Sequence, residues 1–367
     1  MQQQLSQLNF HRAAGIALFG LFFLALETVL RVGPIGRAGA TWVGRLNPRL
    51  TGVEARGAWY GLTTRIIANI HHAVVLPLVI VTLLPPALGG PMFSPGGWPD
   101  VASPAPDALN PFWTRPFTAT SPFVRSITLV TCGQFLWDLW CAVRDAPREG
   151  TLYILHGLMA LGLYSGACLN DGWHTWAAGY LLWELSTPWV HLRWAMGKRC
   201  LGSAEWPSTR RLARLRAARR DGVAVEKAKP TDADHEHPLY VASGKVAFAL
   251  FFVARIAWGL CLSARFWLDT HNRLSARAAA AAAAGVAPSL ARSLGLSTLP
   301  SSAAKGLFDD PGPPLFVWFS RLANVSLNGL NLLWFSKMIL IAAAAASGTT
   351  PRDDGWGAGA GSEKKRR

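Results

Sequence analysis

The chain has 367 residues, of which 51% are hydrophobic and only 16% are charged, and it contains 17 tryptophans. This composition excludes an ordinary water-soluble domain and is typical of a polytopic membrane protein with tryptophans at the bilayer interfaces. The net charge of +15 is assigned to loops that meet anionic lipid head groups, because no nucleic-acid-binding motif accompanies it.

Seven stretches are apolar enough, and close enough to the required length of about 20 residues, to cross a bilayer as helices. In chain order they are Ala13–Leu30, Leu62–Leu84, Ser121–Val143, Leu152–Leu169, Trp173–Met196, Lys245–Leu262 and Leu315–Ala346. The first is predicted to stay in place as a signal anchor, because no small-residue cleavage site follows it. The fifth contains Pro188, which is predicted to kink it. The sequence therefore predicts an all-α fold with about seven transmembrane helices.

The orientation follows from lysine and arginine, which favour the cytosolic side in short loops. The first, third and fifth connections are basic, whereas the second has only Arg115 and the fourth has none. The sixth connection is too long to be informative. This asymmetry predicts a lumenal N-terminus and a cytosolic C-terminus.

The predicted organisation has three parts: a signal-anchor helix with a basic loop (1–57), a transmembrane domain (58–346) and a cytosolic basic tail (347–367). Three insertions in the transmembrane domain lack the apolar periodicity of a packed core and are predicted to be flexible, namely 85–121, 201–238 and 270–314.

The tail carries Lys364 and Lys365 at the fourth and third positions from its end. This spacing matches a dilysine retrieval signal, which a receptor reads. Retrieval machinery would then be a partner, and the protein would reside in the endoplasmic reticulum. The alternative is an ordinary basic tail.

Polar side chains lie in or at the edges of the predicted spans. A central charge there costs about 2.5–3.5 kcal/mol unless it is paired or faces a wet cavity. The residues are Arg65, His71, His72, Asp138, His156, Glu184, Arg193, Arg255, Asn324, Asn328 and Asn331. Their number indicates an internal polar site, which the predicted orientation opens to the cytosol.

Asp138 and His156 lie on consecutive antiparallel helices joined by a short turn around Pro147. We expect the carboxylate to reach the imidazole, fix its tautomer and raise its pKa. Such a pair suits acid–base chemistry but does not require it.

Asn324, Asn328 and Asn331 are spaced i, i+4, i+7, which puts three amides on one helix face. They either join helices or line a cavity. His71 and His72 are about 100° apart around their helix, so we expect only one of them to face a narrow site.

No His-x-x-x-His spacing and no Cys-x-x-Cys pair occurs, so neither a metal site nor a disulfide framework is predicted, and no cofactor is expected.

Three motifs carry a resemblance to a known family. They are Gly133–Asp138, Tyr153–His156 and Glu184–Trp194, of which the last, reading E-L-S-T-P and ending in R-W, is the most specific. Together they resemble the TLC domain, which is shared by ceramide synthases, translocon-associated membrane proteins and several lipid regulators. The resemblance extends from about Trp59 to Lys337 and is greatest to TLC proteins that are not ceramide synthases.

The resemblance implies helices around a central lipid-sized cavity, residence in the endoplasmic reticulum or another endomembrane, and a role in sensing, moving or making lipids. In ceramide synthases a His-His pair on the helix that matches Leu152–Leu169 serves acyl transfer from acyl-CoA to a sphingoid amine. Here the first histidine is His156, but the second position is Gly157. The paired acidic residues expected later are also missing, since only Glu184 stands there.

The preferred hypothesis is a non-catalytic protein that binds or regulates membrane lipids and controls phospholipid composition. In it, four side chains form a polar floor beneath an apolar cavity: Asp138, His156, Glu184 and Arg255. The alternative is an acyl-CoA-dependent N-acyltransferase with His156 as general base and Asp138 as the residue that orients it. A third possibility is pairing alone, with Arg65 or Arg193 neutralising the two carboxylates.

Overall fold

The structure is a computed structural model, and it describes residues 2–47, 50–83, 122–170, 173–197, 200, 238–283 and 314–346. All regular secondary structure in these ranges is helical, which confirms the predicted all-α fold. The tail with Lys364 and Lys365, the insertion 85–121 and nearly all of the insertion 201–238 lie outside the described residues.

Eleven α-helices can be assigned within the described ranges. They are α1 (Gln2–Arg31), α2 (Gly33–Leu46), α3 (Gly52–Leu83), α4 (Pro122–Arg144), α5 (Ala146–Glu149), α6 (Thr151–Asn170), α7 (His174–Leu181), α8 (Thr187–Met196), α9 (Pro238–Phe251), α10 (Gly259–Ala283) and α11 (Pro314–Ala346). A 3-10 turn, Leu182–Ser186, joins α7 to α8, and a π-helical segment, Phe252–Trp258, joins α9 to α10.

Six helical stretches in the described part of the chain are long and apolar enough to cross a membrane. They are Asn9–Arg31, Gly52–Leu83, Phe123–Arg144, Thr151–Asn170, Pro238–Asn272 and Leu315–Ala343. This pattern makes the chain an integral multi-pass membrane protein.

The predicted fifth span, Trp173–Met196, is broken. Pro188 lies in the first turn of α8 and has no backbone N–H for the carbonyl four residues before it. The helix tightens into the 3-10 turn Leu182–Ser186 directly before this proline. The predicted span is therefore interrupted directly before the proline that was predicted to kink it.

One helix runs further than the sequence indicates. The helical stretch that contains the predicted span Lys245–Leu262 continues through α10 to Ala283, into the segment 270–314 that was predicted to be an insertion. The run of alanines near its end explains the extension, because alanine has the highest intrinsic helix propensity.

The described residues divide into two compact units, and the first is built from Met1–Phe23, Ala73–Trp183 and Val253–Arg367. In it α6 packs against both α4 and α11. Helices α1 and α4 lie close together at Gly133, where an added Cβ would lie 2.3 Å from the Cβ of Phe19. Small residues of this kind let membrane helices approach at backbone distance.

The second unit is built from Leu24–His72 and Glu184–Phe252. Its core joins α2, α3 and α8 through a small cluster of buried residues: Val43, Ala58, Leu62, Ala195 and Cys200. The end of α1 carries a buried ion pair, in which Arg31 Nη2 lies 2.7 Å from Glu27 Oε1. Arg31 also donates to the Tyr60 carbonyl at 2.9 Å, so this charge is satisfied where α1 meets α3.

We expect Gly133→Ala to destabilise the protein. The new methyl group would lie 2.9 Å from the backbone nitrogen of Gly20, which cannot move aside as a side chain can, so the cost should be near the upper end of the overpacking range, about 3 kcal/mol. Thermal unfolding of the purified full-length protein in detergent measures this loss.

The matched control is Gly329→Ala. This glycine also lies within a helix, but nothing is within 4 Å of an added Cβ, so alanine should be neutral or stabilising by up to about 1 kcal/mol. Equal shifts in unfolding temperature for the two variants would show that the α1–α4 contact is not tight.

Candidate functional site

Three histidines and a glutamate gather in the second unit. The rings of His71 and His72 are both buried and meet edge to face, with centroids 5.4 Å apart. The Nε2 atom of His72 lies 3.8 Å from Glu184 Oε2, and its ring centroid is 6.4 Å from that of His191. We call these four residues the histidine cluster.

The helix break positions the carboxylate of this cluster. Glu184 lies in the 3-10 turn, and the hydroxyl of Thr187 donates to its Oε2 atom at 2.5 Å. His191 Nδ1 lies 2.9 Å from Asn69 Oδ1 on α3. The cluster therefore brings an imidazole and a carboxylate together where α3 lies beside the helix break.

The structure adds residues that sequence reasoning missed. His191 was not a predicted site residue, whereas His71 and His72 were both named without a choice between them; the nitrogen within 4 Å of Glu184 Oε2 is Nε2 of His72. The signal was present, because Glu184, Thr187 and His191 are spaced i, i+3, i+7 and thus share one helix face. In the described part of the chain, no three His, Cys, Asp or Glu side chains are placed to hold a metal ion.

The two predicted arginines of this unit stack on aromatic rings. The guanidinium carbon of Arg65 lies 3.7 Å from the ring centroid of Trp194, and that of Arg193 lies 4.0 Å from the ring centroid of Tyr240. Such contacts are worth about 2 kcal/mol when desolvated. They give both charges a partner within the apolar region.

In the first unit the predicted asparagine face joins helices. The amide nitrogen of Asn324 donates to the Tyr180 hydroxyl at 2.7 Å and to Ser263 Oγ at 3.0 Å, and its oxygen accepts from Trp267 Nε1 at 3.1 Å. Asn328 donates to the same Ser263 Oγ at 2.9 Å. These bonds link α11 to α7 and α10, so Asn324 and Asn328 act between helices.

Asn331 continues this row and meets Arg255. The guanidinium of Arg255 donates to Asn331 Oδ1 at 3.2 Å, and both side chains are buried. Arg255 lies in the middle of the π-helical segment Phe252–Trp258. Segments with this wider turn occur often at functional sites.

A narrow cavity lies beside Asn324. Its empty volume, including the part that is open to the surroundings, is about 430 Å³. The wall is mainly aromatic, with rings that include Trp173, Tyr180 and Phe316. Ser320 also lines it, is fully buried, and its Oγ has no hydrogen-bond partner among the residues that the structure describes. The cavity is thus apolar with a few polar points, as lipid and small-molecule sites are.

His156 and Asp138 belong to the first unit as well. The His156 ring packs on Trp334 with centroids 5.6 Å apart. An added Cβ at Gly157 would lie 3.2 Å from Leu139 Cδ1 and 3.3 Å from Leu139 Cα. Asp138 directly precedes Leu139 on α4, and His156 directly precedes Gly157 on α6. Asp138 and His156 therefore lie at the same level of the two helices.

Comparison with known proteins gives two similar relatives. The chain is 24% identical over 213 residues to an uncharacterized TLC domain-containing protein of Schizosaccharomyces pombe. The aligned region covers 58% of this chain and 50% of that protein. It is also 22% identical over 239 residues to topoisomerase I damage affected protein 4 of Saccharomyces cerevisiae. This aligned region covers 65% of this chain and 62% of that protein. The chain thus spans about half to three fifths of these relatives. No solved structure shows a significant match.

The family model of the TLC domain (TRAM_LAG1_CLN8) matches residues 65–340. The match contains the whole histidine cluster, the asparagine row and the cavity, and it covers well over half of the sequence. With its helical membrane architecture and its matching motifs, the chain belongs to the TLC domain family.

Proposed function

We propose that this protein is a non-catalytic TLC-domain protein that binds membrane lipid and regulates phospholipid composition. The observation that carries the proposal is the narrow aromatic cavity of the first unit. Its wall is made mostly of aromatic and aliphatic side chains and contains no charged residue, which suits a chain of methylene groups rather than a charged lipid head group. An acyl chain is the ligand that a membrane supplies to such a space.

The polar points of the cavity suit a lipid in a second way. The unpartnered Oγ of Ser320 and the amide of Asn324 lie in the same wall. A buried hydroxyl without a partner costs free energy, which a ligand oxygen or a water bound beside the chain would recover. The site therefore favours a lipid chain with an oxygen-containing group near its end in the cavity.

Packing around His156 argues against acyl transfer. N-acylation needs one group to take the amine proton and another to stabilise the oxyanion of the thioester. In ceramide synthases the neighbouring position is a second histidine, whereas here it is Gly157, packed against the Cα of Leu139. A Cβ at position 157 would lie 3.3 Å from the Cα of Leu139, so any larger side chain there requires a small shift of α4 or α6.

The proposal includes the endoplasmic reticulum as the location and a cytosolic C-terminus. The endomembrane location is the one that membership of the TLC domain family suggests. The stretch of α7, the 3-10 turn and α8 runs from His174 to Met196, which is about the number of residues that a crossing needs. As a seventh crossing, it would put the two termini on opposite sides.

We expect Ala167→Leu to reduce lipid binding in the cavity. Ala167 lines the cavity and is 1% exposed, so a larger side chain takes the space of the acyl chain. The measurement uses full-length protein in nanodiscs with a phospholipid that carries a photoreactive group at its chain end, and mass spectrometry locates the labelled peptides. Labelling of the cavity wall should fall severalfold.

Ala160→Leu is the matched control, because Ala160 is buried on the same helix but does not line the cavity. This variant should be labelled in the cavity wall as strongly as wild type, even if it loses as much stability as Ala167→Leu does. Ser320→Ala provides a second variant that adds no volume. Wild-type protein without label in the cavity wall, or with label that Ala167→Leu leaves unchanged, contradicts the proposal.

We expect His156→Ala to be functional. In cells that lack the protein, wild type and an expressed, correctly located His156→Ala variant should both restore phospholipid chain composition, because the proposed role needs no general base. Quantitative lipidomics checks this. Accumulation of an acyl acceptor that only wild type reverses would establish the acyltransferase alternative instead.

A further inference from the structure

Helix α2 begins where the first membrane span ends. The apolar span Asn9–Arg31 stops at Arg31, and α2 starts at Gly33. Gly33 has a φ of +69°, a left-handed conformation that glycine adopts readily and that turns the chain sharply. The chain therefore leaves the hydrocarbon region and enters α2 without a connecting loop.

The residues that α2 and the end of the span contact are of the types that gather at a membrane interface. The indole N–H of Trp59 donates to the carbonyl of Leu30, at the end of the span, at 2.9 Å. Gly39 of α2 lies directly on the same indole ring, where an added Cβ would be 2.1 Å from a ring carbon. The Arg31 guanidinium lies over the Tyr60 ring, 5.2 Å from its centroid. Tryptophan, tyrosine and arginine together are typical of the interfacial belt.

The surface of α2 has three sides. One side faces the protein through four buried residues: Gly36, Gly39, Ala40 and Val43. The second side is an exposed apolar line of Ile35, Ala38 and Trp42, in which Ile35 and Trp42 are each 47% exposed. The third side is an exposed polar line, about a quarter turn away by helical geometry, and consists of Arg37, Thr41 and Arg45. The helix has no acidic residue.

We propose that α2 is an interfacial helix that binds anionic phospholipid head groups. Ile35 and Trp42 lie in the outer hydrocarbon layer, and Arg37 and Arg45 bind phosphate and carboxylate groups above them. Charge complementarity selects this partner, because the exposed face has two cations and no anion beside an apolar line at interfacial depth. The surface is separate from the lipid cavity and does not depend on it.

The test measures the depth of α2 in full-length protein reconstituted into vesicles. An environment-sensitive fluorophore is attached at Ala38→Cys or, as the comparison, at Thr41→Cys, in a Cys261→Ser background that removes the exposed native thiol. The four other cysteines are buried, and burial raises the pKa of Cys200 to about 12 despite nearby Arg65, so it stays protonated during labelling. Lipids with a spin label high on the chain quench the probe.

The expected result is at least about twofold stronger quenching at position 38 than at position 41, increasing when phosphatidylserine is added to phosphatidylcholine vesicles. Arg37→Gln with Arg45→Gln should remove the dependence on phosphatidylserine. The control variant, Arg125→Gln with Lys245→Gln, removes the same charge from exposed positions of α4 and α9. It should keep the dependence on phosphatidylserine. Size-exclusion elution and thermal unfolding confirm that each variant is folded.

Two results would overturn the proposal. One is equal quenching at positions 38 and 41, or the same phosphatidylserine dependence in both double variants. The other is a probe that is unquenched in vesicles but shielded from aqueous quenchers in native membranes, which would show that a protein covers this face.

Discussion

Satisfying polar groups in an apolar environment is the constraint on which the rest of this structure depends. Hydrocarbon offers no hydrogen bonds, so each buried charge or amide must find a partner within the protein. Arg65 and Arg193 meet aromatic faces, Arg31 meets Glu27, and Arg255 meets Asn331. These pairs join residues of different helices or successive turns, so the same contacts that remove the cost of burial also fix the packing.

The break before Pro188 shows how a local defect contributes to a site. A regular helix would bond the carbonyl of residue 184 to the N–H at 188, which proline lacks. The 3-10 turn that results places Glu184 where Thr187 donates to it and His72 faces it. Pro188 thus positions the carboxylate of Glu184 through its effect on the backbone. Its ring does not need to contact the histidines.

Local composition and spacing were enough to predict most membrane-spanning segments, the family, and the disturbance of the helix at Pro188. The asparagine row was visible for the same reason, since i, i+4, i+7 defines one face whatever lies opposite. Its partners Ser263 and Tyr180 were not predictable, because they are far away in sequence. The histidine cluster was missed because it joins α3 to α8. A central cavity was expected from the family resemblance, but its aromatic wall was not, because rings from four helices form it. The sequence predicted a loop in place of helix α2, because the glycines of this segment have low helix propensity. In the structure this helix is stabilised by packing on Trp59.

The position after His156 links packing to chemistry. A glycine at 157 allows α6 to approach the Cα of Leu139 on α4, and close contact between membrane helices is itself stabilising. A larger side chain at this position requires a small shift of α4 or α6, because its Cβ alone would lie 3.3 Å from the Cα of Leu139. The chain therefore has close helix packing where the ceramide synthases have their second histidine, so the absence of that imidazole and the tight contact between the two helices are two sides of one choice of residue.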